Sequence, residues 1–305
     1  MLRLLRDSRT GERGSVMVLV AAAMTAVLAL GAISLDAGRL YAERQRLVNV
    51  ADAAALAGAQ FLPGDPAQAV ATALDYVELN GVPRSQATAE VVDSEKHKIH
   101  VSLWQDVNLT FARAIRIASS SVLASANAIR GPISKVHGAV PLGVELPQGI
   151  RFGEELVLKE GGGEGAFGNF HALAFGGRGA CDYGINLRNG YDGWVAVGDL
   201  IDTEPGNMAG QTRGAIHDRI QADPYATVDN CSPNSPRLIV VPVVSFAGTN
   251  GRDQVAVLGF ACFFIENMIG NDTVVGQFVR VLRPGEVLDG GNAPDYGVNA
   301  VKLTR

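Results

Sequence analysis

The sequence predicts an α+β protein: a long N-terminal membrane-spanning helix continuing into an amphipathic helix, then a small α+β unit, then a β-rich domain. Three observations lead there. Residues 16–35 are uncharged and apolar, interrupted only mildly by Thr25 and Ser34. The first proline is Pro63, so nothing breaks a helix that starts before residue 16. Glycine is abundant, 36 of 305 residues, and most of it lies beyond residue 50 between short apolar runs. That punctuation favours strands and turns over a helical bundle.

A helix needs about 20 apolar residues to cross a bilayer core, and 16–35 supplies that length. Arg3, Arg6, Arg9 and Arg13 precede it against Asp7 and Glu12, whereas Asp36, Arg39 and Glu43 follow it with no positive excess. The positive-inside rule therefore puts residues 1–14 in the cytoplasm and the bulk outside. A cleaved signal peptide would have a shorter apolar core and a small-x-small site. Ala29-Leu30-Gly31 offers such a site, but the apolar run is too long and its helical character continues past it. A type IV prepilin leader cuts after a glycine and carries Glu five residues on; after Gly14 that position is Leu19, so no processing is expected.

Wound at 3.6 residues per turn, residues 36–58 place Leu40, Leu47, Val48, Ala51, Ala54, Ala55 and Gly58 on one side. Arg39, Arg46, Asn49 and Ala53 fall largely on the other. The stripe begins with large side chains and ends in Ala and Gly, which let another backbone approach closely. Two readings stay open: a docking surface for a partner, or an amphipathic helix packing on its own domain. Asp36 shares the side of Leu40 and Leu47 at the bilayer exit. A carboxylate there is costly in lipid unless it reaches headgroups or a partner, and Arg39, three residues on, is a candidate. Asp52 sits off the stripe, where a solvated role is expected.

Glu12-Arg13-Gly14-Ser15, the apolar run, Asp36-x-Gly38-Arg39, Leu47-x-Asn49 and Ala51-Asp52-Ala53-Ala54-Ala55-Leu56-Ala57 together closely resemble the N-terminal segment of TadG-like proteins. These are bitopic proteins of the bacterial Flp (tight-adherence, Tad) pilus assembly system. The resemblance covers about the first 60 residues. Val50 departs from it, adding bulk where the family usually has Ala. It implies a permanent single-pass anchor in the bacterial cytoplasmic membrane, with other Flp/Tad assembly proteins as partners.

Phe61 to Pro66 end the long helix, and Asp65-Pro66 opens a second over 67–80, closed by Gly81 and Pro83. Residues 87–92 and 98–104 read as strands around a turn at 93–96, 107–117 as a short helix, and 121–129 as a third strand. Leu109-Thr110-Phe111-Ala112-Arg113 and Ser125-Ala126-Asn127-Ala128 are similar to the corresponding part of TadE/TadG-like proteins. His97 and His100 point to opposite faces of a strand, which disfavours one metal ion between them.

Gly131-Pro132 marks a boundary. Beyond it, 139–144, 155–158, 171–175, 194–197, 238–246, 254–264 and 274–282 read as strands, and 212–220 as the one clear helix. Gly163-Glu164-Gly165-Ala166-Phe167-Gly168 spells a dinucleotide fingerprint, but no βαβ context surrounds it, so a glycine-rich turn is expected. The loop 198–207 holds Asp199, Asp202 and Glu204; a capped turn is its main reading and calcium the alternative. The Asp-x-Ser-x-Ser metal triplet that some TadG-like proteins carry in a von Willebrand A domain is absent. Of the three cysteines, Cys181 and Cys231 lie in polar turn-like sequence and Cys262 in an apolar strand, so a Cys181–Cys231 disulfide with Cys262 buried and free is expected.

A net charge of −5 removes any bulk basic field for nucleic acid. No Gly-x-Ser-x-Gly or His-Glu-x-x-His occurs, and the five histidines are scattered. The expected organisation is a cytoplasmic arm 1–14, the transmembrane and amphipathic helix 15–60, a small α+β unit 61–130 and a Gly-rich, β-rich extracytoplasmic domain 131–305. The expected role is non-enzymatic scaffold or minor structural subunit of pilus assembly, with no cofactor and no catalytic or metal residues. A tethered surface binding or adhesion module is the alternative, with an anchored hydrolase behind it.

Overall fold

The long helix forms without a break in the computed structural model, which describes residues 12–92, 97–146, 149–159, 171–204, 208–245, 253–270, 273–288 and 294–304. The chain divides into two units, 1–128 with 303–305, and 129–302.

In the first unit, α1 runs Glu12–Ala59. Its apolar first half is exposed, with Val18, Val27 and Leu28 each about 70% accessible, while Leu47, Ala51, Ala54 and Ala55 are fully buried. One helix therefore carries an uncovered apolar stretch and a packed one. It is long and apolar enough to cross a membrane. Helix α2 follows at Pro66–Leu79; the Asp65 carboxylate caps it by accepting from the Gln68 N–H at 2.9 Å. Strand β1 (Ala87–Val91) pairs antiparallel with β2 (Lys98–Asn108), from Ala87 opposite Leu103 to Val91 opposite Ile99. The turn at 93–96 lies outside the described residues. Strand β3 (Ser119–Pro132) follows, its first ten residues belonging to this unit. The unit's core is the lower face of α1 against Ala69, Ala73 and Val77 of α2 and Ile99, Val101 and Leu103 of β2.

The short helix expected over 107–117 shrinks to a 3₁₀ turn at Ala112–Ile115, because β2 runs on to Asn108. Arg116 takes a left-handed φ of 68° and stops the turn.

The second unit carries, in chain order, β4 (Lys135–His137), β5 (Leu142–Gly143), β6 (Glu155–Lys159), β7 (His171–Ala172), α3 (Ala180–Asn189), β8 (Trp194–Ala196), β9 (Leu200–Asp202), α4 (Ala209–Ala222), β10 (Leu238–Val244), β11 (Gln254–Ile269), β12 (Thr273–Val279), β13 (Val281–Leu282) and β14 (Val298–Thr304), whose last two residues belong to the first unit. Its main sheet has the order β10-β11-β12-β6, antiparallel throughout, with β9 also on β11. Strand β10 is buried at all seven positions. Its residues alternate between two cores: Leu238 and Val240 enter one with Phe260, Cys262 and Phe264, while Ile239, Val241 and Val243 enter the other with Ala261, Phe263 and Ile265. A sheet covered on both faces needs no polar alternation, which is why these strands read as continuous apolar runs. Pro242 is tolerated because β10 ends the sheet order.

Helix α4 confirms the expected helix at 212–220 and extends it. Helix α3 was not expected, since the sequence around Cys181 reads as turn-like. Gly184 serves close approach, since a Cβ there would strike the Gln211 side chain of α4. The glycine-rich segment 163–168 lies outside the described residues.

Candidate functional site

Asp36 is the first residue after the apolar stretch, and it is only 5% accessible. Its carboxylate accepts three backbone N–H groups from the loop after β2. Thr110 donates to Oδ1 at 2.9 Å, and Phe111 and Ala112 donate to Oδ2 at 2.9 and 2.7 Å. The residue that would be costly in lipid thus has its charge satisfied by its own chain. Arg39 does not pair with it directly: its Nη1 donates to Thr110 Oγ1 at 2.7 Å, tying down the same loop. The candidate Arg39 therefore acts on the carboxylate through its charge and not through an ion pair, because backbone amides occupy both carboxylate oxygens.

Those three amides also set the local backbone. They are the donors that a helix running through 107–117 would need for its own ladder. Held by Asp36, they keep a helix from starting before residue 112, and Arg116 ends the turn that follows. The loop closes at its base where the Leu109 N–H donates to the Ala118 carbonyl at 3.0 Å.

The stripe is covered from within. Leu47, Ala51, Ala54 and Ala55 are completely buried and Leu40 partly so. Gly58 is the tightest point: a Cβ there would lie 2.7 Å from the Ala69 carbonyl, 2.8 Å from Ile99 Cδ1 and 3.1 Å from Ala73 Cβ. Of the two readings open in the sequence, the structure takes packing on the chain's own domain. The stripe is therefore not a free partner surface: the small residues let α2 and β2 approach. Asp52 is half-buried at the side of the stripe, and Gly38 is exposed with open space around it. Arg46, which the helical pattern placed on the opposite side, is a further tie. Its Nη2 donates to Glu43 Oε1 at 2.7 Å and Gln105 Oε1 at 2.6 Å, and its Nη1 to the Asn80 carbonyl at 3.2 Å.

The remaining candidates have structural partners. Both ring nitrogens of His100 are engaged, with Asn127 Oδ1 at 2.9 Å and Ser102 Oγ at 2.8 Å. In the acidic loop, Asp199 accepts from the Ala196 N–H at 2.8 Å, and Glu204 accepts from Gly179 N–H at 2.6 Å, just before α3. Asp202 meets Arg178 at 2.7 Å and Gln254 at 3.0 Å; Arg178 first, then Gln254, holds its carboxyl below the usual range. The three carboxylates thus serve a turn, an ion pair and a helix start; residues 205–207 lie outside the described ones. Among the described residues no group of three His, Cys, Asp or Glu is placed to hold a metal ion.

The expected Cys181–Cys231 disulfide is not formed; all three cysteines are free thiols. Cys181 is exposed in the first turn of α3, whereas Cys231 packs against the apolar cluster that buries Cys262. Burial pushes the Cys262 thiol up to about 12.

No curated protein and no solved structure matches the chain. Residues 14–60, from the start of the apolar stretch to the end of the packed stripe, match the Tad family model, described as "Putative Flp pilus-assembly TadE/G-like", and this TadE/G-like segment associates the chain with Flp pilus assembly.

Proposed function

We propose that this chain is a non-enzymatic, membrane-anchored component of bacterial Flp/Tad pilus assembly, acting as scaffold or minor structural subunit. It is single-pass in the cytoplasmic membrane, with 1–14 inside and the bulk of the chain beyond residue 35 outside. The carrying observation is the coincidence of the TadE/G-like match at 14–60 with one continuous helix, apolar and uncovered over its first half. The arginines before residue 14 support the orientation. Partners are other Flp/Tad assembly proteins, met on surfaces other than the packed stripe. Deletion of the gene followed by electron microscopy of pili tests the role. Loss of pili restored by the full-length chain is expected; normal piliation in the deletion strain would refute it.

A cavity of about 590 Å³ in the second unit favours a second reading, a tethered surface binding module. Asn189, Asn234, Arg283 and Trp194 are among its lining, a polar and aromatic mixture suited to a polar ligand. Binding of a glycan by the full-length protein, together with normal piliation in the deletion strain, would favour it.

A further inference from the structure

The loop 109–118 presents a surface that its own unit does not cover. Phe111, Ile115 and Ile117 are 44%, 70% and 48% accessible. Arg113 and Arg116 are exposed beside them, and neither has an ion pair among the described residues. No acidic residue occurs anywhere in 107–132. A short loop that exposes three large apolar side chains is poorly suited to water, and the two cations beside them suit an anionic surface.

Its position is fixed by hydrogen bonds. The loop amides of Thr110, Phe111 and Ala112 sit on the carboxylate of Asp36, one residue after Leu35. Residues 16–35 span about 30 Å as a helix, which matches the hydrocarbon thickness of a bilayer. Asp36 then stands at the hydrocarbon boundary, and the loop backbone stands within a hydrogen bond of it. Tyr41, 69% accessible, lies about 7.5 Å further along the helix, in the zone where aromatic rings gather at membrane surfaces.

We propose that loop 109–118 is a lipid-binding surface. Phe111, Ile115 and Ile117 enter the boundary between headgroups and acyl chains, and Arg113 and Arg116 engage the phosphates of anionic lipids. Amphipathic segments with apolar and basic faces bind interfaces in this way. Asp36 is then a positioning residue that holds the loop at bilayer depth. The inference rests on the reading of 16–35 as membrane-spanning.

The test is site-directed spin labelling of full-length protein in vesicles of phosphatidylcholine and phosphatidylglycerol. Cys181 and Cys231 are replaced by Ser, and single cysteines are introduced by Ile115→Cys, Ile117→Cys, Leu28→Cys and Tyr225→Cys. Collision with oxygen, which enriches in lipid, is compared with collision with a water-soluble nickel chelate. The expected oxygen-to-nickel ratio at 115 and 117 is several-fold above that at 225 and below that at 28. Adding Arg113→Gln with Arg116→Gln should lower the ratio at 115 in anionic vesicles to its value in pure phosphatidylcholine. A water-like ratio at 115 and 117 with a lipid-like ratio at 28 overturns the inference and leaves the anchor intact. A water-like ratio at 28 as well overturns both. Exclusion of both reagents at 115 shows a protein contact instead and also overturns it.

Discussion

Two glycines of the same helix should answer the same substitution with opposite signs. Gly38 is exposed, and a Cβ there meets nothing within 4 Å; Gly58 faces the Ala69 carbonyl at 2.7 Å and Ile99 Cδ1 at 2.8 Å. Alanine in place of glycine in a helix gains about 0.5–1 kcal/mol from backbone entropy. At Gly38 that gain stands alone, so Gly38→Ala stabilises the helix. At Gly58 the obstacle includes a backbone oxygen of α2, which no rotamer change can move. Overpacking of this kind costs about 1–3 kcal/mol, which outweighs the gain and leaves a net loss of about 0.5–2 kcal/mol. Hydrogen exchange at the α2 amides, on full-length protein in nonionic micelles, reads both. At tenfold per 1.4 kcal/mol, Gly58→Ala should accelerate exchange about 2- to 30-fold, and Gly38→Ala should slow the most protected amides about 2- to 5-fold. Slower α2 exchange in Gly58→Ala would refute the close approach of α1 and α2 at that point.

Further outcomes follow from single contacts. Asp36→Ala removes the acceptor of three amides, so exchange at Thr110, Phe111 and Ala112 should rise to the rate of an open loop while insertion persists; unchanged protection there would reject the clamp. Mass counting on denatured, unreduced protein should find three thiols, and under native conditions Cys181 should alkylate far faster than Cys262. A count of one thiol would restore the disulfide. Arg237 is buried and donates to the carbonyls of Asp223, Ala226, Ile265 and Glu266. Arg237→Met should destabilise the second unit by about 1–3 kcal/mol, the cost of leaving buried carbonyls unsatisfied; a change below about 0.5 kcal/mol would mean that water replaces those bonds.

Elements with a strong period were legible in the sequence. The helix from 15 to 58, the Asp65 cap, the β1–β2 pair and the buried strands β10 and β11 all follow from local pattern. What stayed hidden depends on contacts distant in sequence. Helix α3 carries only Tyr183, Gly184 and Leu187 on its buried face, and Gly184 looks like a breaker until α4 is seen beside it. No helix starts before residue 112 because a carboxylate 74 residues away from Thr110 accepts the Thr110, Phe111 and Ala112 amides, and Arg116 ends the turn that follows. Backbone amides have no side-chain signature, so no pattern around residue 110 could announce them. The requirement was visible at Asp36, whose charge needed a partner; the partner's identity was not.

Coverage of the stripe also changes which mutations bear on assembly. Ala54 and Ala55 are fully buried against the chain's own elements. A large side chain at either position would disturb folding first, so lost piliation there would say nothing about a partner. The exposed side of α1 beyond the apolar stretch includes Tyr41, Ala42, Arg44, Gln45 and Asn49. Charge reversal at Arg44 should leave α2 exchange unchanged, since surface changes away from buried contacts usually stay within about 0.5 kcal/mol. If that face meets another assembly protein, Arg44→Glu should lower piliation with folding intact. Full piliation in Arg44→Glu and in Gln45→Glu would move the partner surface off this helix and onto the outer units.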